Sequence, residues 1–251
     1  MTAKFRPLSA IAFCVTLCAF TSPAHAAEIK LIASNAVKEA YSQLLPAYEK
    51  ASGNKVTVSW GGTADIIKRV NGGEAADAVI ITDVGIDSLI KSGKLVSAGR
   101  IDVAKSPTGV AVRAGAPKPD ISSTEALKKS VLASKGIVLT AGPSNPFLHR
   151  MFEKMGIAAE AKARDVQPAQ GQAITDPIVQ GKADLVFSLD SELIAVKDIA
   201  FVGPLPKGSE IVLNYTAAYS PAASEPAKAL MKFLTSPDAI KVLKANGLEP
   251  G

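Results

Sequence analysis

The chain has 251 residues, with 28 lysines and arginines against 23 aspartates and glutamates, and 47% of its side chains are hydrophobic. This composition is typical of a globular protein with one large domain or two small ones. The charges are spread along the chain, which excludes a disordered acidic tail and a basic nucleic-acid-binding arm. Aromatic residues make up only 5%, which disfavours a site that stacks sugars or single-stranded bases.

The first 26 residues have the pattern of an export signal. Lys4 and Arg6 precede an apolar stretch from Leu8 to Phe20, and Ser22 to Ala26 ends in a small-residue cleavage pattern. The apolar stretch is shorter than the roughly 20 residues that span a bilayer. Cleavage after Ala26 removes both cysteines and leaves 225 residues with a net charge of +3. We therefore expect a periplasmic protein without disulfides or a lipid anchor.

Strand and helix patterns alternate in the first half of the remaining chain. Strands are predicted at Glu28 to Ser34, Lys55 to Trp60 and Ala78 to Thr82. Helices are predicted at Val37 to Ala51, ending at Gly53, and from Thr63, as the cap, to Val70. This alternation implies parallel strands with right-handed crossovers.

A second series of strands and helices follows. The predicted segments are the strand Gly109 to Arg113, the helix Ile121 to Ser134, the strand Gly136 to Thr140, a helix opened by Gly142-Pro143-Ser144, a helix approaching Gly181, the strand Ala183 to Leu189, the extended segments Ile199 to Val202 and Ile211 to Tyr219, and the helices Pro226 to Leu234 and Pro237 to Ala245. We predict an α/β protein with two lobes joined by two crossing strands. Lobe I would comprise residues 27–107 and 216–251, and lobe II residues 108–215.

Small and hydroxylated residues lie at the carboxyl ends of the predicted strands, where open α/β sheets bind ligands. Because several of these turns lead into helices, their backbone N–H groups and helix dipoles favour an anion. Each turn on its own is also compatible with an ordinary helix cap. The turns are Ser34-Asn35, Gly62-Thr63, Thr82-Asp83, Gly142-Pro143-Ser144 and Ser188 to Glu192, which includes Ser191.

Signatures of common enzymes are absent from the sequence. There is no dinucleotide-binding, phosphate-loop, zinc-protease or serine-hydrolase motif. One histidine, His149, remains after cleavage of the signal, which excludes a histidine-based triad or a multi-histidine metal site. Candidate acids are Asp65, Asp176, Asp190 and Glu192, and no spacing distinguishes a pair. We expect no metal and no cofactor.

Three arginines could bind an oxyanion or carboxylate through their guanidinium groups, or could be ordinary surface charges. These arginines are Arg69, Arg150 and Arg164.

Several segments together resemble the periplasmic molybdate-binding protein family of ABC importers. They are Ile32 to Ala36, Val58 to Thr63, Ala75 to Ile81, Gly181 to Asp184 and Phe233 to Ala239. The resemblance implies a two-lobed type II periplasmic-binding-protein fold, each lobe a mostly parallel sheet flanked by helices, with a two-strand hinge. It also implies an anion held by hydroxyls and backbone N–H groups. The matching positions are Ser34, Thr63, Gly142-Pro143-Ser144 and Gly171 to Ala173.

One position departs from that family. Molybdate binders place a tyrosine where this chain has Leu189, which removes a hydrogen-bond donor and argues against molybdate. The stretches Val112 to Ser122 and Ser191 to Leu193 are more similar to a divergent branch that includes aconitate isomerase. If the chain is such an isomerase, it needs a base, for which His149 and Glu192 are the candidates.

The partner of the protein depends on which of these functions is correct. The first hypothesis is a monomeric receptor that carries molybdate, tungstate or an organic carboxylate to a membrane ABC permease. The second is an isomerase that interconverts cis- and trans-aconitate. A third is a receptor that signals to a membrane sensor, which the neighbouring genes would distinguish from import. None of the three involves a nucleic acid.

Overall fold

The computed structural model describes residues 26–251, and the predicted export signal lies almost entirely outside them. The first part of the chain alternates strands and helices around one sheet. Its elements are β1 (Glu28–Ser34), a 3-10 turn (Asn35–Val37), α1 (Lys38–Ser52), β2 (Lys55–Gly61), α2 (Thr63–Asn71), β3 (Ala78–Thr82), α3 (Asp83–Lys91) and β4 (Val96–Arg113).

The remaining elements form the second lobe and then return to the first. They are α4 (Thr124–Ala133), β5 (Ile137–Leu139), α5 (Asn145–Lys154), α6 (Ala158–Arg164), α7 (Asp176–Val179), β6 (Leu185–Leu189), α8 (Asp190–Ile194), β7 (Ile199–Pro204), β8 (Val212–Tyr219), α9 (Glu225–Leu234), α10 (Pro237–Ala245) and β9 (Glu249–Pro250).

The strands run in the order β2-β1-β3-β8-β4-β6-β5, with β7 and β9 also paired to β4. The pairs β1–β2, β1–β3 and β5–β6 are parallel, whereas the pairs made by β4 and β8 are antiparallel. Separate hydrophobic clusters cover the two faces of each lobe's sheet. The predicted two-lobed α/β architecture is confirmed, and the boundaries of the lobes at the residue level stay a prediction.

The strand β4 joins the two lobes. Its first part, up to Pro107, pairs with β8, and its second part, from Thr108, pairs with β6 and β7. The sequence predicted only the segment from Gly109 to Arg113. Pro107 suggested a break because proline has no N–H to donate within a ladder. In the structure Pro107 lies at the point where β4 stops pairing with β8 and starts pairing with β6 and β7.

Two local features of lobe I differ from the sequence analysis. The helix α3 was not predicted, although Ile86 and Leu89 lie buried on one of its faces. Thr63 is the first residue of α2 and not its cap, since the cap is Gly62 and no side chain accepts a hydrogen bond there. The helix α2 therefore begins with backbone N–H groups that no side chain caps.

Among residues 26–251, no helix has both the length and the apolar character needed to cross a bilayer.

Candidate functional site

The turns predicted to bind a ligand in lobe I lie side by side. The register of β1 on β2 pairs Ser34 with Gly61, and β3 lies on the other side of β1. Because all three strands are parallel, their carboxyl ends form one edge of the sheet. The Ser34 hydroxyl, the Gly62-Thr63 turn and the Thr82-Asp83 turn therefore share this edge. Asn35 follows Ser34 with its side chain exposed.

Lobe II has a corresponding edge at the ends of β5 and β6. The Thr140 N–H donates to the Phe187 carbonyl at 3.0 Å, which extends the pairing of these strands to their carboxyl ends. The turn from Gly142 to Ser144 follows β5, and Ser188 precedes the last residue of β6. The predicted residues of the second lobe are thus brought together as well.

Two buried hydroxyls at these edges have no hydrogen-bond partner among the described residues. One is Thr63 Oγ1 and the other is Ser144 Oγ, and Ser144 is fully buried. A buried hydroxyl without a partner costs about 1–3 kcal/mol. The helices α2 and α5 begin beside these hydroxyls, and no side chain in the described part of the chain caps either of them.

The two lobes meet at the start of α8. The hydroxyls of Ser106 on β4 and Ser191 on α8 lie 3.2 Å apart in a hydrogen bond. Leu189 is 3% exposed and belongs to the hydrophobic cluster of lobe I, together with Tyr41 and Tyr215. Leu189, which stands where the resemblance implies a tyrosine, is therefore a core residue at the junction of the lobes.

A carboxyl group and a phenol lie close together at this junction. Ser188 Oγ donates to Glu192 Oε2 at 2.6 Å. Burial raises the pKa of Glu192, and the hydrogen bond from Ser188 opposes this shift. Burial and then the charge of Glu192 raise the pKa of Tyr215, whereas a hydrogen bond with Ser34 lowers it. The phenol of Tyr215 is thus influenced both by Ser34 of lobe I and by Glu192 of lobe II.

Tyr215 was not predicted as a site residue. It lies in the middle of β8, at a position that the sequence pattern assigns to the core. The pairing of β8 with both β3 and β4 brings it to the site, and that pairing joins segments far apart in the chain.

The guanidinium group of Arg69 is bound by carboxylates of the protein itself. Its guanidinium donates to both carboxylate oxygens of Glu74, at 2.6 and 2.7 Å, and to Asp65 at 3.2 Å. It also donates to the Trp60 carbonyl and to the Ser59 hydroxyl. Because two carboxylates neutralise its charge, Arg69 stabilises the end of β2 and is not available to a ligand in this arrangement.

The other charged candidates also lie apart from the two edges. Arg164 donates to the carbonyls of Leu132 and Ser134, at the end of α4. Arg150 is exposed and lies over the Phe147 ring, 4.6 Å from its centroid. His149 beside it is exposed on α5.

The stretch from Gly171 to Ala173 is also exposed. Asp176 accepts the N–H of Ala173 and so orders this stretch. Asp65 is paired with Arg69, as described above. These two carboxylates therefore have structural partners.

Asp190, the first residue of α8, is packed against the hinge. It is 5% exposed, and its Oδ1 atom has no hydrogen-bond partner among the described residues. A β-carbon added at Gly109 would lie 2.3 Å from Oδ1, so the carboxyl group rests directly on the backbone of β4. Burial, with the charge of Glu249 as a second cause, raises the pKa of Asp190 to about 7.

This raised pKa predicts that the protein loses stability as the pH rises. Between about pH 4 and pH 7 the folded state holds a proton on Asp190 that the unfolded state has lost, so the free energy of unfolding falls with pH. We expect Asp190→Asn to abolish about 2 kcal/mol of this loss between pH 5 and pH 8, measured by urea unfolding. Asp238→Asn, at a carboxylate whose side chain is 87% exposed, is the control. Equal pH dependence in Asp190→Asn and the wild type would contradict the prediction.

Among the described residues, no group of three histidine, cysteine, aspartate or glutamate side chains converges in a way that could hold a metal ion.

Residues 29–249 match the family model of the bacterial extracellular solute-binding proteins. The chain belongs to this family. This solute-binding protein is also 32% identical over 232 residues to aconitate isomerase from Pseudomonas sp, an alignment that covers 88% of the chain and 87% of the relative. The family assignment points to a location outside the cytoplasm, in the periplasm.

Solved structures share the fold of this solute-binding protein. The substrate-binding domain of a putative molybdenum ABC transporter from Clostridium difficile superposes with a TM-score of 0.73 at 19% identity, covering 90% of this chain and 100% of that one. The periplasmic molybdate-binding protein of Azotobacter vinelandii gives 0.71 at 18% identity, covering 89% and 99%. The predicted resemblance to molybdate binders, in a branch that includes aconitate isomerase, is confirmed.

Proposed function

We propose that this protein is an exported receptor that binds a small organic carboxylate between its two lobes and delivers it to a membrane ABC permease. The observation that carries the proposal is the pair of buried, unpartnered hydroxyls, Thr63 Oγ1 and Ser144 Oγ, at the strand ends of different lobes. An anion that accepted hydrogen bonds from both would remove their energetic cost and hold the lobes together.

The surroundings of these hydroxyls also favour an anion. The helix α2 starts beside Thr63 without a side-chain cap, so its first N–H groups and its dipole favour negative charge. The Ser34 hydroxyl lies at the same edge, where it accepts the N–H of Ala36 at 3.3 Å. Site residues on the lobe II side are Ser144, Ser188 and Ser191.

A carboxylate is a better candidate than molybdate for two reasons. Leu189 stands where the resemblance to molybdate binders implies a tyrosine donor, and it is buried in the core of lobe I. The relative at 32% identity is an isomerase of aconitate, which is a tricarboxylate. Delivery to a permease and cleavage of the export signal after Ala26 are parts of the same proposal.

Calorimetry and thermal-shift measurements with a panel of anions test the proposal. The panel contains citrate, cis-aconitate, trans-aconitate, sulfate, molybdate and tungstate. We expect at least one of the three carboxylates to bind with a millimolar or lower dissociation constant, and more tightly than the inorganic oxyanions. If none of the carboxylates binds, the proposed ligand class is wrong.

Ser144→Ala tests whether the unpartnered hydroxyl binds the ligand. Because this hydroxyl has no partner among residues 26–251, its removal should leave the free energy of unfolding unchanged or raise it by up to about 1 kcal/mol. The affinity for the bound carboxylate should fall about tenfold, which corresponds to ~1.4 kcal/mol. Calorimetry and urea unfolding measure the two effects.

Ser134→Ala is the matched control for this substitution. The Ser134 hydroxyl is also buried, but it donates to the Val131 carbonyl at 2.7 Å at the end of α4. Its removal should cost about 1 kcal/mol of stability and leave the affinity unchanged. An unchanged affinity in Ser144→Ala would remove this residue from the site.

A second function, isomerisation of aconitate, is favoured by the arrangement of Glu192 and Tyr215. Moving the double bond requires a base that takes a proton from one carbon and returns it to another. Glu192 is half-buried, its pKa is raised, and Tyr215 lies beside it. Incubation with trans-aconitate and detection of the cis isomer distinguishes the two functions, because a receptor gives no turnover.

A further inference from the structure

A cavity of about 530 Å³ lies at the hinge and contains none of the serines or threonines assigned to the ligand site above. Its walls come from β4, from the start of α8, from the segment that returns to lobe I before β8, and from the end of the chain after α10. Both lobes therefore contribute to the cavity, which we call the hinge cavity.

The hinge cavity is lined by two buried polar groups without partners. Asp190 is 5% exposed and Thr108 is 1% exposed, and Asp190 Oδ1 and Thr108 Oγ1 have no hydrogen-bond partner among residues 26–251. Both atoms can accept a hydrogen bond. A carboxylate buried without a donor is costly, and a donor brought by a ligand would remove that cost.

Carboxylates outnumber cations in the lining. The acidic lining residues are Asp190, Glu210 and Glu249, and among the described residues Lys244 is the one basic residue that lines the cavity. One oxygen of Glu210 already accepts the N–H of Gly208, at 2.6 Å. The unmet requirement is therefore for N–H donors that carry positive charge, whereas the ligand site needs donors for an anion.

We propose that the hinge cavity binds a small protonated amine, with its N–H groups donating to Asp190 and Thr108. The amine would be a second ligand, chemically opposite to the anion. Because the walls belong to both lobes, a movement of the hinge changes the shape of the cavity. Occupancy of the cavity is then coupled to closure of the lobes, and the two ligands change each other's affinity by the same factor.

Calorimetry and thermal shift with methylammonium chloride and putrescine dihydrochloride test this proposal, in the absence of any carboxylate. Tetramethylammonium chloride has the same charge but no N–H group, and sodium chloride matches the ionic strength. We expect a saturable rise of Tm with at least one of the two amines and none with either control salt. A rise of equal size with tetramethylammonium would overturn the proposal, as would no rise with either amine.

Two variants locate the amine. Asp190→Asn keeps the volume of the side chain and removes its charge, so the affinity for the amine should fall at least tenfold. Glu249→Gln changes an exposed residue at the same cavity and should weaken binding by a smaller factor, which gives a second test if Asp190→Asn does not fold. Glu225→Gln, far from the cavity on α9, should bind as the wild type does. Equal binding by Asp190→Asn and wild type would place the amine elsewhere and overturn the proposal.

The coupling is measured by repeating the amine titration with a saturating concentration of whichever of the three carboxylates binds most tightly. A change in amine affinity of threefold or more, in either direction, is the expected result. An unchanged affinity would refute the coupling. This second site does not depend on the identity of the anion, because the first titration contains none. If amine binding is normal but none of the three carboxylates binds, the proposed function alone is contradicted.

Discussion

Replacing Gly109 by alanine is expected to lower the free energy of unfolding by about 3 kcal/mol. A β-carbon at this position would lie 2.3 Å from Asp190 Oδ1, 2.6 Å from the Gly203 carbonyl oxygen and 2.8 Å from a ring carbon of Phe201. The backbone oxygen cannot move without disturbing the pairing of β4 with β7. For a protein of this size, Tm should fall by about 6–12 °C.

Gly203→Ala is the control for this prediction, because Gly203 lies on the neighbouring strand β7. The nearest atom to its added β-carbon is Ile121 Cδ1 at 3.7 Å, which is an ordinary contact. The free energy of unfolding should change by less than about 1 kcal/mol. If Gly109→Ala is as stable as Gly203→Ala, the packing of α8 on β4 differs from that described above.

If the protein isomerises aconitate, Glu192→Gln should reduce the turnover at least about 100-fold. The amide of glutamine cannot accept the proton that the reaction moves, although it can still accept the hydrogen bond from Ser188. Stability should therefore change little. Single-turnover measurements with trans-aconitate give the rate, and Glu225→Gln, on a side chain that is 84% exposed, is the control.

The pH profile separates the role of Glu192 as a base from a structural one. In the wild type the rate should rise with pH as Glu192 loses its proton, with a midpoint above the usual range for glutamate because burial raises its pKa. Ser188→Ala removes a hydrogen bond that lowers this pKa, so the midpoint should move to higher pH. If Glu192→Gln retains a rate within threefold of the wild type, the base is another residue.

Two strands of lobe I were predictable with accurate bounds. The predicted segments Glu28 to Ser34 and Ala78 to Thr82 coincide with β1 and β3. Their bounds were predictable because each apolar run ends at a polar turn. The strand β4 was predicted too short because Pro107 interrupts its local pattern. Its continuity depends on pairing with β8, which lies about a hundred residues further along the chain.

Part of the candidate site could also be predicted. Serines and threonines at the ends of parallel strands lie at one edge of a sheet whatever the details of packing, and Ser34, Thr63, Ser144 and Ser188 follow this rule. Whether the arginines are available to a ligand could not be predicted from the sequence. The sequence shows that Arg69 is basic, but only the folded chain shows that Glu74 and Asp65 neutralise it.

The sequence by itself determined the family, the α/β class and the strand ends that carry the hydroxyls, since these depend on local patterns and on motifs contiguous in the chain. Only the tertiary structure decided which polar groups are unpartnered and which charges are neutralised. The phenol of Tyr215 beside Glu192, the buried carboxyl of Asp190 on Gly109 and the core position of Leu189 all arise where distant segments cross at the hinge. Burial and hydrogen bonding are properties of such long-range contacts, and they set the chemistry of the same side chains that the sequence already displays.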